Sequence, residues 1–142
     1  MKLVADANVL LAAVLGGQAK TVLQHPEIDE VLTAEATLTE VEEYAPILAK
    51  KKRLSLDSLL LAIAALPVTV VEKAIYSSSL PQARKLIARR DPDDVDILAL
   101  ALHTNLPLWS NDNDFEEAGI EWYTTAEMLR KLGVGTGNEE SS

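Results

Sequence analysis

The sequence predicts an α/β domain in which a mainly parallel sheet is covered by helices on both faces. Three observations predict it. Short apolar runs of strand length, KLVA, DEVLT, VTVVE and PLWS, alternate along the chain with segments of helical periodicity. Hydrophobic residues make up 48% of the sequence and aromatic residues only 4%, so the core is built from Leu, Val, Ile and Ala. That composition suits helices packed on a sheet better than an aromatic-rich sandwich. The length of 142 residues is that of one domain with a proper core.

The elements follow in order. KLVA, 2–5, is a short first strand, and ANVLLAAVLGG a helix closed by Gly16 and Gly17. A second short helix, 18–24, ends at His25-Pro26, and DEVLT, 29–33, is the second strand. Residues 34–52 are helical: at 100° per residue Ala34, Leu38, Val41, Ala45 and Leu48 share one face. Pro46 lies inside that pattern and predicts a kink or a split into two helices. Ser55 caps a helix through Leu66, with Asp57 in its first turn, and Pro67 ends it. VTVVE, rich in β-branched residues, is the third strand. A helix over about 79–90 precedes DPDDVDILALALHT, a helix apolar nearly all round and therefore buried. PLWS is the fourth strand and IEWYT, 120–124, the fifth. TTAEMLRKL closes a domain spanning 1–132, and GVGTGNEESS, 133–142, is a polar tail expected to be mobile.

Composition removes several kinds of chemistry. Cysteine is absent, which excludes disulfides, thiol catalysis and thiolate metal sites. The apolar start is interrupted by Asp6 too early for a signal peptide, and the longest apolar run, 59–71, is broken by Pro67. The expectation is a cytoplasmic protein with no membrane partner. A net charge of −9 argues against a general electrostatic grip on nucleic acid. Basic residues nonetheless gather at Lys50, Lys51, Lys52 and Arg53, and again at Arg84, Lys85, Arg89 and Arg90. The competing reading of each patch is a solvated helix face.

The acids stand where ligands bind in such sheets, beyond the carboxyl ends of the strands at the point where strand order reverses. Asp6 leaves the first strand and Asp112, in WSNDNDF, leaves the fourth. If those strands are central neighbours, the two carboxylates converge. On the 34–52 helix, Glu40 lies on one shoulder of the apolar face with Thr37 and Tyr44. Glu35 and Glu42 lie on the other shoulder, Glu43 points away from the core, and periodicity does not choose between the shoulders. In DPDD, Asp91 reads as an N-cap, Pro92 as the first helical residue and Asp93 as a charge favoured by the helix end. Asp94 and Asp96 lie deeper in an apolar helix, where a carboxylate needs a partner or a cation.

Two carboxylates about 5 Å apart repel by roughly 3 kcal/mol at an effective dielectric near 20, so four together require a counter-charge. His25 and His103 lie far from these motifs in sequence and read as structural. An all-oxygen site favours Mg²⁺ or Mn²⁺, and such a site suits phosphodiester hydrolysis. No GxxxxGK[ST], GxGxxG or GxSxG motif competes with it.

These residues resemble the PIN-domain ribonucleases, a family that includes VapC-like toxins. The resemblance runs from about Leu3 to Leu132 and rests on VADANVLL, TLTEVEEYA, RDPDDVDILALAL and LPLWSNDNDF in that order. It implies a three-layer α/β/α sandwich with four or five strands. It implies Asp6, Glu40, Asp94 and Asp112 as the catalytic carboxylates, with Asp6, Asp94 and Asp112 on the metal. Asn8, Ser110 and Asp114 become supporting residues, while Asp93 and Asp96 fall outside the ligand set. The implied activity is Mg²⁺- or Mn²⁺-dependent cutting of single-stranded RNA, with Lys51, Lys52, Arg53, Arg84, Arg89 and Arg90 as candidate RNA contacts. A homodimer and an antitoxin protein are the implied partners. The alternative is a catalytically silent RNA-binding or regulatory module of the same fold. A phosphoacceptor domain is disfavoured, because Asp6 is followed by Ala7 and Asn8 and no lysine follows the later strands.

Overall fold

A computed structural model describes residues 1–87, 92 and 94–134. Its sheet has five strands, β1 (Lys2–Ala5), β2 (Glu30–Ala34), β3 (Thr69–Val71), β4 (Leu108–Trp109) and β5 (Trp122–Tyr123). The order is β3-β2-β1-β4-β5 and every pairing is parallel. The helices are α1 (Ala7–Val14), α2 (Gln18–Leu23), α3 (Glu35–Lys52), α4 (Leu56–Ala64), α5 (Lys73–Tyr76), α6 (Leu80–Ile87), α7 (Asp94–Thr104) and α8 (Thr125–Lys131).

Successive strand residues divide between two cores, as a pleat of period two requires. Leu3, Ala5, Val31 and Trp109 pack with α1 to α4 and α8. Val4, Leu32 and Leu108 point the other way, into the side chains of α6 and α7. Leu3, Val4 and Ala5 are wholly buried, the condition of a parallel sheet covered on both faces. The expected three-layer α/β/α sandwich is therefore the observed one, with five strands.

From β1 the chain builds outward through β2 to β3, then returns to the other flank of β1 for β4 and β5. The order reverses between β1 and β4, and both strands end at the same edge: Ala5 is in register with Trp109. The condition set by the sequence, that the first and fourth strands be central neighbours, is met.

Three local expectations change. The long helix is not split at Pro46: α3 is one helix of 18 residues. Pro46 and Glu42 are both exposed, so the Glu42 carbonyl that loses its N–H partner faces water. The buried stripe of α3 is Thr37, Val41, Ala45, Leu48 and Ala49, shifted from the expected set because the helix packs on α1, α4 and α7 together. Finally, α5, a 3-10 turn at Ser77–Ser79 and another at Asn113–Ala118 occupy stretches that carry no period of their own.

The expected 79–90 helix is seen as α6, and Ala88, Arg89, Arg90, Asp91 and Asp93 lie outside the described residues. So does the expected tail from residue 135 onward. Among the described residues no helix is long and apolar enough to cross a membrane.

Candidate metal centre

Asp6 is the first residue past β1 and caps α1, its Oδ1 accepting the Ala7 N–H at 2.8 Å. Its own N–H donates to the Trp109 carbonyl at 3.0 Å, which fastens the end of β1 to the end of β4. One residue on from Trp109, Ser110 is fully buried. Its hydroxyl donates to Asp6 Oδ2 at 2.8 Å and accepts from Asn8 Nδ2 at 3.1 Å and from the Asp112 N–H at 3.0 Å. One donor and two lone pairs are thus all engaged. Ser110 is the hub that joins the two strand ends.

Around the hub the network closes. Asn8 Nδ2 lies 3.3 Å from Asp6 Oδ2, and Asn8 Oδ1 accepts the Asn111 N–H at 3.0 Å. Asn111 Oδ1 takes the Thr125 N–H at 2.8 Å, at the first turn of α8. The Trp122 indole N–H donates to the Ser110 carbonyl at 2.9 Å. Asp112 caps the following 3-10 turn, its Oδ1 accepting the Asp114 N–H at 2.9 Å. The polar residues of SNDN are held by backbone donors as much as by one another.

The third contribution comes from the other helix layer. Asp94 opens α7 and is 7% exposed, with its Oδ2 buried. Carboxylate oxygens of Asp94, Asp112 and Asp114 lie within 4.8 Å of one another. Asp94 and Asp112 also line a cleft of about 470 Å³, together with Asp6, Asn8 and Glu40. The four acids picked out in the sequence, from four separate segments, therefore border one basin.

The donor set fits a hard divalent cation. All the ligand atoms are carboxylate oxygens, and oxygens on opposite sides of Mg²⁺ are about 4.2 Å apart at its usual bond lengths. The three acids offer oxygens within 4.8 Å of one another, close to that spacing, so one ion is within reach of all three. At that spacing each ionised pair repels by about 3 kcal/mol at an effective dielectric of 20, which a bound cation reverses. Asp114 joins this triad, while Asp6, which the resemblance placed on the metal, borders the same cleft. Asp6 Oδ1 accepts from Ala7 and Oδ2 from Ser110 and Asn8, and a carboxylate so bonded can still coordinate a cation.

The remaining candidates divide. Glu40 lines the cleft, and so does Glu43, which the sequence reading turned away from the core. Glu43 does leave the core, but the cleft wall is on that side; its spacing of three from Glu40 was the available signal. Asp96 faces α5: it accepts the Tyr76 hydroxyl at 2.6 Å and lies 3.7 Å from Lys73 Nζ. Burial, and then Asp96, push the Tyr76 phenol well above its ordinary pKa. Lys51 donates to the hydroxyl of Tyr44, a cleft residue, at 3.2 Å. Lys52 and Arg53 are exposed at the carboxyl end of α3, and Arg84 is exposed on α6. His25 closes a local turn by accepting the Glu27 N–H, and His103 is exposed near the end of α7.

No curated protein matches the sequence. Among solved structures the chain is similar to VapBC2 from Rickettsia felis bound to a DNA fragment from its promoter, at 14% identity and a TM-score of 0.69, over 87% of this chain and 98% of that one. It is similar to a toxin–antitoxin complex from Klebsiella pneumoniae at 22% identity and a TM-score of 0.63, over 87% and 97%. It is also similar to VapC20 of Mycobacterium tuberculosis, described as a sarcin–ricin-loop-cleaving toxin, at 20% identity and a TM-score of 0.59, over 83% and 95%. The model of the PIN domain matches residues 4–133, from the middle of β1 to just past α8, and the chain belongs to the PIN-domain family.

Proposed function

We propose that the chain is a divalent-metal-dependent endoribonuclease and the toxin of a toxin–antitoxin pair, with residues 1–132 as the nuclease domain. One observation carries this reading: carboxylates of Asp94, Asp112 and Asp114 meet within 4.8 Å, and Asp94 and Asp112 line a cleft that Asp6 and Glu40 also border. Asp6, Asp94 and Asp112, with Asp114 beside them, are the residues that hold Mg²⁺ or Mn²⁺. A cation bound there supplies Lewis-acid polarisation of a phosphoryl oxygen and lowers the pKa of water.

The chain's own residues set the stage for that chemistry. Ser110 and Asn8 fix the rotamer of Asp6, so its Oδ2 meets the basin in one orientation. Glu40, which lines the same cleft from α3, is the group that takes the proton of the attacking water. The cleft, of about 470 Å³, is bordered by α3, whose far end is basic.

The antitoxin belongs to the reading through the structural neighbours, one of which is itself a toxin–antitoxin complex. Leu56, Leu60 and Leu61, exposed on α4, support a protein-facing surface there, for an antitoxin or for a second copy of the chain. The test is cleavage of single-stranded RNA with Mn²⁺ by the purified chain and by Asp6→Asn and Asp94→Asn. Both variants should keep the fold by circular dichroism and lose cutting. Equal cutting by all three proteins overturns the proposal.

A further inference from the structure

We propose that one stripe of α3 is a track for the strand leaving the metal centre, with Tyr44 and Lys51 as the seat of a flanking phosphate. This deepens the nuclease reading above and rests on it. Glu40, Glu43, Tyr44 and Ile47 all line the cleft. Their spacing of i, i+3, i+4 and i+7 places them on one face of the helix. Lys51 stands four residues beyond Ile47 and prolongs the same face.

Chemistry changes in order along this face: carboxylates beside the metal centre, then an aromatic ring, then an exposed aliphatic side chain, then an ammonium. Ile47 is 52% exposed, although it is large and apolar. With a rise of 1.5 Å per residue, Lys51 lies about 16 Å along the helix axis from Glu40. That is the backbone separation; the ammonium reaches back as far as the Tyr44 hydroxyl, a place on this face that suits a phosphate further along the strand than the one being cut. The Lys51 ammonium donates to the Tyr44 hydroxyl at 3.2 Å and stands 5.8 Å from the ring centroid. In that arrangement the Tyr44 O–H and the remaining Lys51 N–H groups are neighbouring donors, a pairing that matches phosphate oxygens.

Lys51 makes no ion pair with a carboxylate among the described residues. The same cleft is lined by the apolar side chains of Leu11, from α1, and Ile47. Ribose and base of an unpaired strand cover such a surface, and the Tyr44 ring offers a face on which a base stacks without regard to sequence. A duplex would present phosphates to these apolar groups. Lys52 and Arg53 share the exposed helix end, but neither contacts a cleft residue through a hydrogen bond or ion pair among those described.

The experiment measures binding of a short fluorescein-labelled single-stranded RNA to the full chain carrying Asp94→Asn, with Mg²⁺, over a series of salt concentrations. Adding Lys51→Met should weaken binding about tenfold, the size of one charge-assisted hydrogen bond. It should also reduce the slope of log K against log salt by about 0.7, as loss of one phosphate contact on a single strand requires. Tyr44→Leu should weaken binding while leaving that slope close to its starting value, and Lys20→Met, at an exposed lysine of α2 away from the cleft, should change neither. A slope unmoved by Lys51→Met overturns the track and leaves the face to a protein partner. Cutting by the wild type with that unmoved slope spares the nuclease reading. A moved slope with no cutting by the wild type does the reverse.

Discussion

Replacing Ser110 with alanine deletes the one hydroxyl that β1, α1 and the acidic loop share. Three hydrogen bonds go with it: the donation to Asp6 Oδ2 at 2.8 Å and the acceptances from Asn8 at 3.1 Å and from the Asp112 N–H at 3.0 Å. Losing a hydrogen bond to a carboxylate costs about 1.5–3 kcal/mol. The partly buried Asp112 N–H, left without this acceptor, adds roughly 1 kcal/mol. Asn8 keeps its 3.3 Å contact with Asp6 and softens the loss. The expected decrease in unfolding free energy is about 3 kcal/mol, a sizeable share of the 5–15 kcal/mol typical of a domain. Urea unfolding of wild type and Ser110→Ala without metal measures it. Calorimetric titration with Mn²⁺ should show a further effect, since the variant no longer orients Asp6 and Asp112 from one point: affinity should fall about 10- to 100-fold. A stability change below about 0.5 kcal/mol, together with unchanged Mn²⁺ affinity, would refute the hub.

Asp112→Asn keeps an acceptor for the Asp114 N–H, so the 3-10 turn survives while one charge leaves the triad. Without metal the variant should be at least as stable as wild type; the wild type alone should gain about 2.7 kcal/mol when Mg²⁺ reaches a hundred times its Kd, read by thermal unfolding. Tyr76→Phe removes a 2.6 Å hydrogen bond to a half-buried carboxylate and should cost about 1.5–3 kcal/mol near neutral pH. Because the folded phenol's pKa is raised, wild-type stability from this group is full below the unfolded value of about 10 and is lost above it, so the gap between wild type and variant should narrow as pH climbs past 10 in chemical denaturation. Pro46→Ala restores an N–H for the Glu42 carbonyl in a continuous helix and should raise the unfolding free energy by about 1–3 kcal/mol, measured in urea.

Much of the sheet and of the acid positions was legible because both depend on strand ends. Asp6 and Asp112 announce themselves as charges following apolar runs, and the reversal of strand order says where such charges collect. The neighbouring of β1 and β4 was only a condition, since pairing between distant segments leaves no local trace. Glu43 was missed for a different reason. A projection of α3 onto a single apolar face assumes one packing partner, whereas this helix has the core on one side and the cleft on another. The split allowed for at Pro46 does not occur: the rule for a helix interior presumes a costly orphaned carbonyl, and here Pro46 and Glu42 are both exposed residues. KAIYSSS gave no sign of α5 and its 3-10 turn, because elements of four and three residues are shorter than any helical period that could mark them.

The bond between Ser110 and Asp6 joins residues 104 positions apart. No fragment ending before the fourth strand carries Asp112 or Asp114, so the three carboxylates of the triad can be assembled only after that strand has been made. Synthesis of the first three strands leaves Asp6 without the serine that orients it.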